Sequence, residues 1–242
     1  MFEFSEWQTK VHGSFIDRAN RLKLLDQSRP QIVLHLAWHS TDSPNYESDP
    51  IHLRWAEESI NFAHECLRRD VWFLCTGSAA DRSQPINHHL RNSNYSESKI
   101  RLRQEFLNLP APAKLTWLQP QYVFSMVALR PRLLRAVIQS SNPDVFIPSN
   151  PDSLHDFIHI DDTATAICTV LRHSIISDVH IGSGRQISTL DFAETVKFQS
   201  GFRDTLPRIT EHQSLETAKP LSSLGWLPIA TNKFFGFDKE QG

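Results

Sequence analysis

Tyr95-Ser96-Glu97-Ser98-Lys99 places a phenol and an ammonium four positions apart, a spacing that puts both on one face of a helix. Seventeen residues before Tyr95, the hydroxyl of Ser78 follows the apolar run 71–75 and stands at a predicted strand end. A phenol beside a fixed positive charge is biased towards phenolate. Such a group can take a proton from a carbinol or return one to a carbonyl oxygen, and a serine hydroxyl nearby stabilises charge on that same oxygen. The competing reading is an ordinary helix that carries a Tyr and a Lys, since pairs at this spacing are common.

The elements that must position these groups are legible as alternating runs. Gln31 to Ala37 is an almost unbroken apolar stretch, the pattern of a strand buried on both faces. Residues 52–69 repeat at helical spacing, with Trp55, Ser59, Phe62, Ala63, Cys66 and Leu67 on one side. A second buried strand is predicted over 71–75, a helix over 95–108 ended by Pro110 and Pro112, and a third strand over 115–118. Further on, 131–140 reads as helix, 144–147 as strand, and 156–160 as a strand leading into a helix capped by Asp161 and running to Arg172. Val179 to Gly184 reads as strand and turn, and 188–198 as a helix capped by Ser188. Strands alternating with helices imply crossover connections and a parallel sheet.

Several ordered blocks resemble the extended short-chain dehydrogenase/reductase family, the NAD-dependent epimerase/dehydratase group. They are His35-Leu36-Ala37-Trp38, Thr76-Gly77-Ser78-Ala79-Ala80, Tyr95 to Lys99, Leu118-Gln119-Pro120, Asp156-Phe157-Ile158-His159-Ile160-Asp161-Asp162, Ile181-Gly182-Ser183-Gly184 and Leu224-Gly225-Trp226-Leu227-Pro228. The resemblance covers about residues 13–235. It implies a Rossmann-like α/β fold, a doubly wound parallel sheet, with a small C-terminal α+β substrate lobe. It places a partial NAD(P)-binding domain at 1–124 and a substrate lobe at 125–242, with 156–181 returning to the Rossmann core.

The same resemblance implies catalytic roles for Ser78, Tyr95 and Lys99. Leu36, Ala37, Trp38, Tyr95, Lys99, Pro120 and Val123 would face an NAD or NADP cofactor, and a nucleotide sugar or similar hydroxyl or carbonyl compound would be the substrate. A plain buried strand end is the competing reading of 36–38. Many relatives pair through helices equivalent to 55–68 and 95–108, so the resemblance admits a homodimer and leaves the oligomeric state open.

This chain departs from the family at several points. Its first glycine is Gly13, its closest glycine pair is Gly182 and Gly184, and no Gly-x-Gly-x-x-Gly occurs. In this fold that loop brings backbone and a helix N-terminus to the pyrophosphate. Gly13 to Asp17 resembles a segment that follows the family's third strand, so the expectation is an N-terminally truncated sheet, short by about one βαβ unit of roughly 30 residues. Strand 31–37 would then lie at an exposed edge. Ser14, Ser125, Met126 and His155 also replace residues usual at their positions. The alternative function is therefore a catalytically inactive, truncated paralogue or gene fragment that acts as a binding or scaffold module.

Bulk properties exclude other classes. The 242 residues carry a formal net charge of −2, which leaves no electrostatic footprint for nucleic acid or anionic lipid. No apolar run reaches the length of about 18 residues that a membrane span needs. The three cysteines, Cys66, Cys75 and Cys168, are isolated and odd in number, which fits buried thiols in a reducing cytoplasm. The histidine pairs 35/39, 88/89 and 155/159 lack the cysteine or His-Glu-x-x-His context of a metal site, and none is expected.

Overall fold

The computed structural model describes residues 13–41, 43, 45–78, 93–109, 113–129, 131–213 and 219–237. Ala79, Ala80, Pro110, Pro112 and most of the segment between Ser78 and Tyr95 lie outside them, as does the N-terminal stretch 1–12. The chain divides into two compact units: Met1–Cys75 with Ala80–Leu115, and Thr76–Ala79 with Thr116–Gly242.

In the first unit the elements run α1 (Arg18–Ser28), β1 (Ile32–His35), α2 (Ile51–Arg68), β2 (Trp72–Thr76, its last residue in the second unit) and α3 (Asn94–Leu107). β1 and β2 pair in parallel, Ile32 opposite Trp72 and His35 opposite Cys75, with α2 as the crossover. That is the connection the alternating pattern requires. β2 is buried along 72–75. Phe73 at its centre takes Phe62 and Phe106 edge-on, with ring centroids 5.7 and 6.0 Å away, so one aromatic seats both helices on the strand.

β1 differs from the expectation. Only one of its faces is covered: His35 is buried, whereas Ile32, Leu34 and Leu36 are 43, 37 and 56% exposed. Residues two apart share a face, so these three form one bare stripe. A run of apolar residues signals strand, but it does not say whether a second layer covers it.

His35 holds the covered face to α2. Ser59 donates its hydroxyl to the Trp55 carbonyl at 2.8 Å, so its oxygen accepts the Nε2–H of His35 at 2.9 Å. The imidazole also stacks on Phe15, with centroids 4.7 Å apart. Burial, followed by the positive charges of Lys99 and Arg21, pushes the His35 pKa down to about 3. The ring is therefore neutral in the fold at neutral pH.

The second unit contains β3 (Leu115–Pro120, its first residue in the first unit), β4 (Tyr122–Phe124), α4 (Arg132–Ile138), β5 (Leu154–His155), β6 (Phe157–His159), α5 (Ile160–Arg172), β7 (Asp178–Ile181), β8 (Arg185–Ser188), α6 (Thr189–Gln199), β9 (His212–Gln213), α7 (Lys219–Ser223) and α8 (Ile229–Phe235). β3 pairs in parallel with β7, and β4 with β6, while β8 runs antiparallel to β5 and β9. The core gathers Phe124, Leu134, Phe157, Phe192 and Phe235, with Phe157 and Phe192 stacked at 4.0 Å.

Three local expectations are corrected here. Residues 143–145 form a 3₁₀ turn rather than a strand; Pro143 supplies no N–H to a ladder, and Val145 and Ile147 point to solvent. α5 begins at Ile160 and is capped by His159, whose ring accepts from the Asp161 N–H, so Asp161 lies in the first turn. Cys168 is exposed, on the face of α5 opposite Asp162, Thr163, Ala166 and Val170, whereas Cys66 and Cys75 are buried.

Two buried carboxylates pin this unit. Asp156 accepts from the Ser183 N–H and hydroxyl at 2.7 and 2.6 Å and from the Gly184 N–H at 2.9 Å. A side chain at Gly182 would collide with it, since a Cβ there would lie 2.6 Å from the carboxylate. Asp162 accepts from the Ala230 N–H at 3.0 Å and from the Thr231 N–H and hydroxyl at 2.6 Å each. It thereby supplies the cap that α8, preceded by Pro228, lacks locally.

Asp162→Ala strands those donors, and we expect it to lower the unfolding free energy by about 3 kcal/mol, read from the urea midpoint at constant slope. For His35 the unfolded chain takes up a proton below pH ~6.5 while the fold does so only near pH 3. Stability is complete above the higher value and falls as pH drops towards the lower one. Between pH 7 and pH 5 the wild type should lose about 2 kcal/mol more than His35→Gln in urea titrations.

Candidate active site

The first unit's candidate site is built on α3. Ser93 caps the helix, its hydroxyl oxygen accepting the Ser96 N–H at 3.2 Å. The cap sets where the helix starts, and so which face carries Tyr95 and Lys99. α3 packs on α2, and Asn94 donates to the Ser48 carbonyl at 2.5 Å, tying the helix start to the turn before α2. Tyr95 is half-buried and Lys99 is 3% exposed.

Around this pair stands an aromatic box that the apolar pattern of the sequence did not reveal. The Lys99 ammonium lies 3.6 Å from the centroid of the Trp38 ring, a cation–π geometry. The Trp38 indole N–H donates to His52 Nδ1 at 3.0 Å, and the opposite nitrogen of His52 lies 2.7 Å from the Tyr46 carbonyl. A nitrogen that accepts from an indole carries no proton, so His52 holds its proton on Nε2 and donates it to Tyr46. Burial is the main cause lowering its pKa; the Tyr46 carbonyl opposes it, nearby His39 adds to it, Asp49 opposes it and Lys99 adds to it. Tyr95 meets His52 edge-on at 5.2 Å, Tyr46 at 5.6 Å and Trp38 edge-on at 6.4 Å. The signal that could have located His52 is its place one step before Trp55 and Ser59 on the α2 stripe.

Of the first-unit residues expected to face a cofactor, Trp38, Tyr95 and Lys99 come together, while Leu36 and Ala37 are exposed beside them. Ser78, Pro120 and Val123 belong to the second unit. There the Gly77 N–H donates to the Leu118 carbonyl at 2.7 Å and Gln119 Nε2 donates to the Ser78 carbonyl at 3.3 Å, fixing the strand end that carries the Ser78 hydroxyl. Pro120 closes β3, and Val123 is paired with Ile158 in the β4–β6 ladder. His155 is buried, its Nε2 3.0 Å from the Ser153 hydroxyl oxygen and its ring 4.0 Å from that of Tyr122; burial pushes its pKa down to about 4. Among the described residues no group of three or more His, Cys, Asp or Glu could hold a metal, and no helix is long and apolar enough to cross a membrane.

The fit to a nicotinamide nucleotide is one of residue type, not of arrangement. Tyr95 and Lys99 are the residue types that the family resemblance implies for such a cofactor, but the Lys99 ammonium lies against the Trp38 indole and Lys99 is buried.

The family model of the NAD dependent epimerase/dehydratase family matches residues 4–182. GDP-L-fucose synthase 1 of Arabidopsis thaliana is 32% identical over 116 residues, 45% of this chain and 35% of that protein. A probable GDP-L-fucose synthase of rice, Oryza sativa subsp. japonica, is 29% identical over 96 residues, 37% of this chain and 29% of that protein. The chain thus matches about a third of the length of these curated relatives. Among solved structures, the UDP-glucose 4-epimerase of Thermus thermophilus, in complex with NAD, superposes with a TM-score of 0.65 at 14% identity, covering 90% of this chain and 79% of that one. The Bordetella bronchiseptica enzyme WbmG, in complex with NAD and UDP, gives 0.66 at 16% identity over 93% and 80%. These likenesses establish the Rossmann-like α/β fold. With a family-model match over residues 4–182, most of its length, the chain belongs to the NAD dependent epimerase/dehydratase family.

Proposed function

We propose that this chain carries out NAD(P)-dependent redox chemistry at a carbinol or carbonyl carbon of a nucleoside-diphosphate sugar, as an epimerase, dehydratase or reductase. The observation that carries this reading is Tyr95 and Lys99 one turn apart on α3 in a chain of the epimerase/dehydratase family. Bound nicotinamide would supply the hydride acceptor and donor. The chain's own task is the proton: the Tyr95 phenol takes it from the substrate hydroxyl or returns it to the carbonyl oxygen, and the Lys99 charge favours the phenolate state of that exchange. The family resemblance gives the Ser78 hydroxyl the role of a donor that stabilises developing negative charge on a substrate oxygen.

The curated relatives are GDP-L-fucose synthases, which makes a GDP-linked sugar the first substrate to test. UDP-linked sugars come next, because UDP is bound in the WbmG structure.

The purified chain should bind NADH or NADPH in a fluorescence titration and turn over one such sugar. Tyr95→Phe should reduce turnover by about 10²- to 10⁴-fold with nucleotide binding preserved. A folded chain that binds neither cofactor at millimolar concentration would remove this reading and leave that of a non-catalytic binding module.

A further inference from the structure

We propose that Trp38 is a lid on Lys99, latched by His52, and that the indole must leave the ammonium before any ligand hydroxyl can reach it. The contact is specific. The ammonium sits 3.6 Å from the ring centroid, and Lys99 is 3% exposed although Trp38 itself is only half-buried. The indole is held from two sides, by the charge on its face and by the hydrogen bond from its N–H to His52 Nδ1. His52 cannot turn away, because its other nitrogen is bound to the Tyr46 carbonyl and its side chain is fully buried.

The latch lies parallel to the lid, with ring centroids 6.1 Å apart and an interplanar angle of 9°. Trp38 is not tied into the sheet: it lies in the irregular segment after β1, its backbone outside the β1–β2 ladder, and Leu36 and Ala37 before it are exposed. Opening breaks a neutral hydrogen bond, a cation–π contact and the ring contacts of Trp38 with His52, Trp55 and Tyr95, and leaves the strand in place. The inference rests on Lys99 being the ammonium that meets the ligand, as proposed above.

The test measures Lys99 directly in the intact chain. Amine labelling with acetic anhydride, resolved by mass spectrometry, gives the rate at Lys99 relative to the exposed Lys23. Trp38→Ala should raise that ratio about ten-fold. His52→Phe, which keeps a ring but removes the acceptor, should raise it by a smaller factor, and Trp38→Phe less than Trp38→Ala. Far-UV circular dichroism and melting curves confirm that each variant is folded.

An unchanged ratio in Trp38→Ala overturns the lid. NADH and NADPH titrations of the same samples separate the two readings. Tighter binding by Trp38→Ala than by wild type supports the lid, whereas weaker binding overturns it by making Trp38 part of the binding surface. If neither protein binds cofactor while the labelling ratio rises, the lid stands and the redox reading falls.

Discussion

An ammonium taken out of water must find compensation, and in the first unit that requirement organises the surroundings of Lys99. Its charge lies on the Trp38 ring, and the same charge helps keep His35 and His52 neutral from two directions. Neutral imidazoles can then serve as hydrogen-bonded spacers: His35 between β1 and α2, His52 between Trp38 and the Tyr46 carbonyl. A second cation in the box would be repelled by the first. One lysine, two fixed tautomers and three aromatic faces form a set whose members depend on one another.

The second unit meets the same electrostatic demand with carboxylates. Asp156 and Asp162 lie at the two ends of one short segment, and each is surrounded by three donors. One gathers the turn between β7 and β8, the other the start of α8. A buried carboxylate that satisfies backbone N–H groups from a distant segment both neutralises a cost and fixes a tertiary contact.

The sequence revealed what depends on period and on local caps. Tyr95 and Lys99 share a face because the helix repeat puts them there, and Ser93 and Ser188 cap α3 and α6 through their own hydroxyls. What escaped depends on partners far away in the chain. α8 starts where it does because of Asp162, 68 residues before Ala230, and no local pattern at 228–231 carries that information. His52 went unread because a polar residue on an apolar stripe declares its role only through Trp38 and Tyr46. α1 escaped for another reason: it buries only Arg21 and Leu25 and shows no apolar stripe. The bare face of β1 escaped because Ile-Val-Leu is the same run whether one layer covers it or two.

That bare face has a consequence for how the chain acquires its structure. β1 pairs with a strand 40 residues later, Ile32 with Trp72, so the pairing is non-local and must wait until α2 has carried the chain back. In a polypeptide emerging vectorially, Ile32, Leu34 and Leu36 are made well before their partner strand exists. The stripe that is exposed in the fold is thus also apolar surface presented during synthesis before its partner strand exists, when competing strand pairings are most damaging.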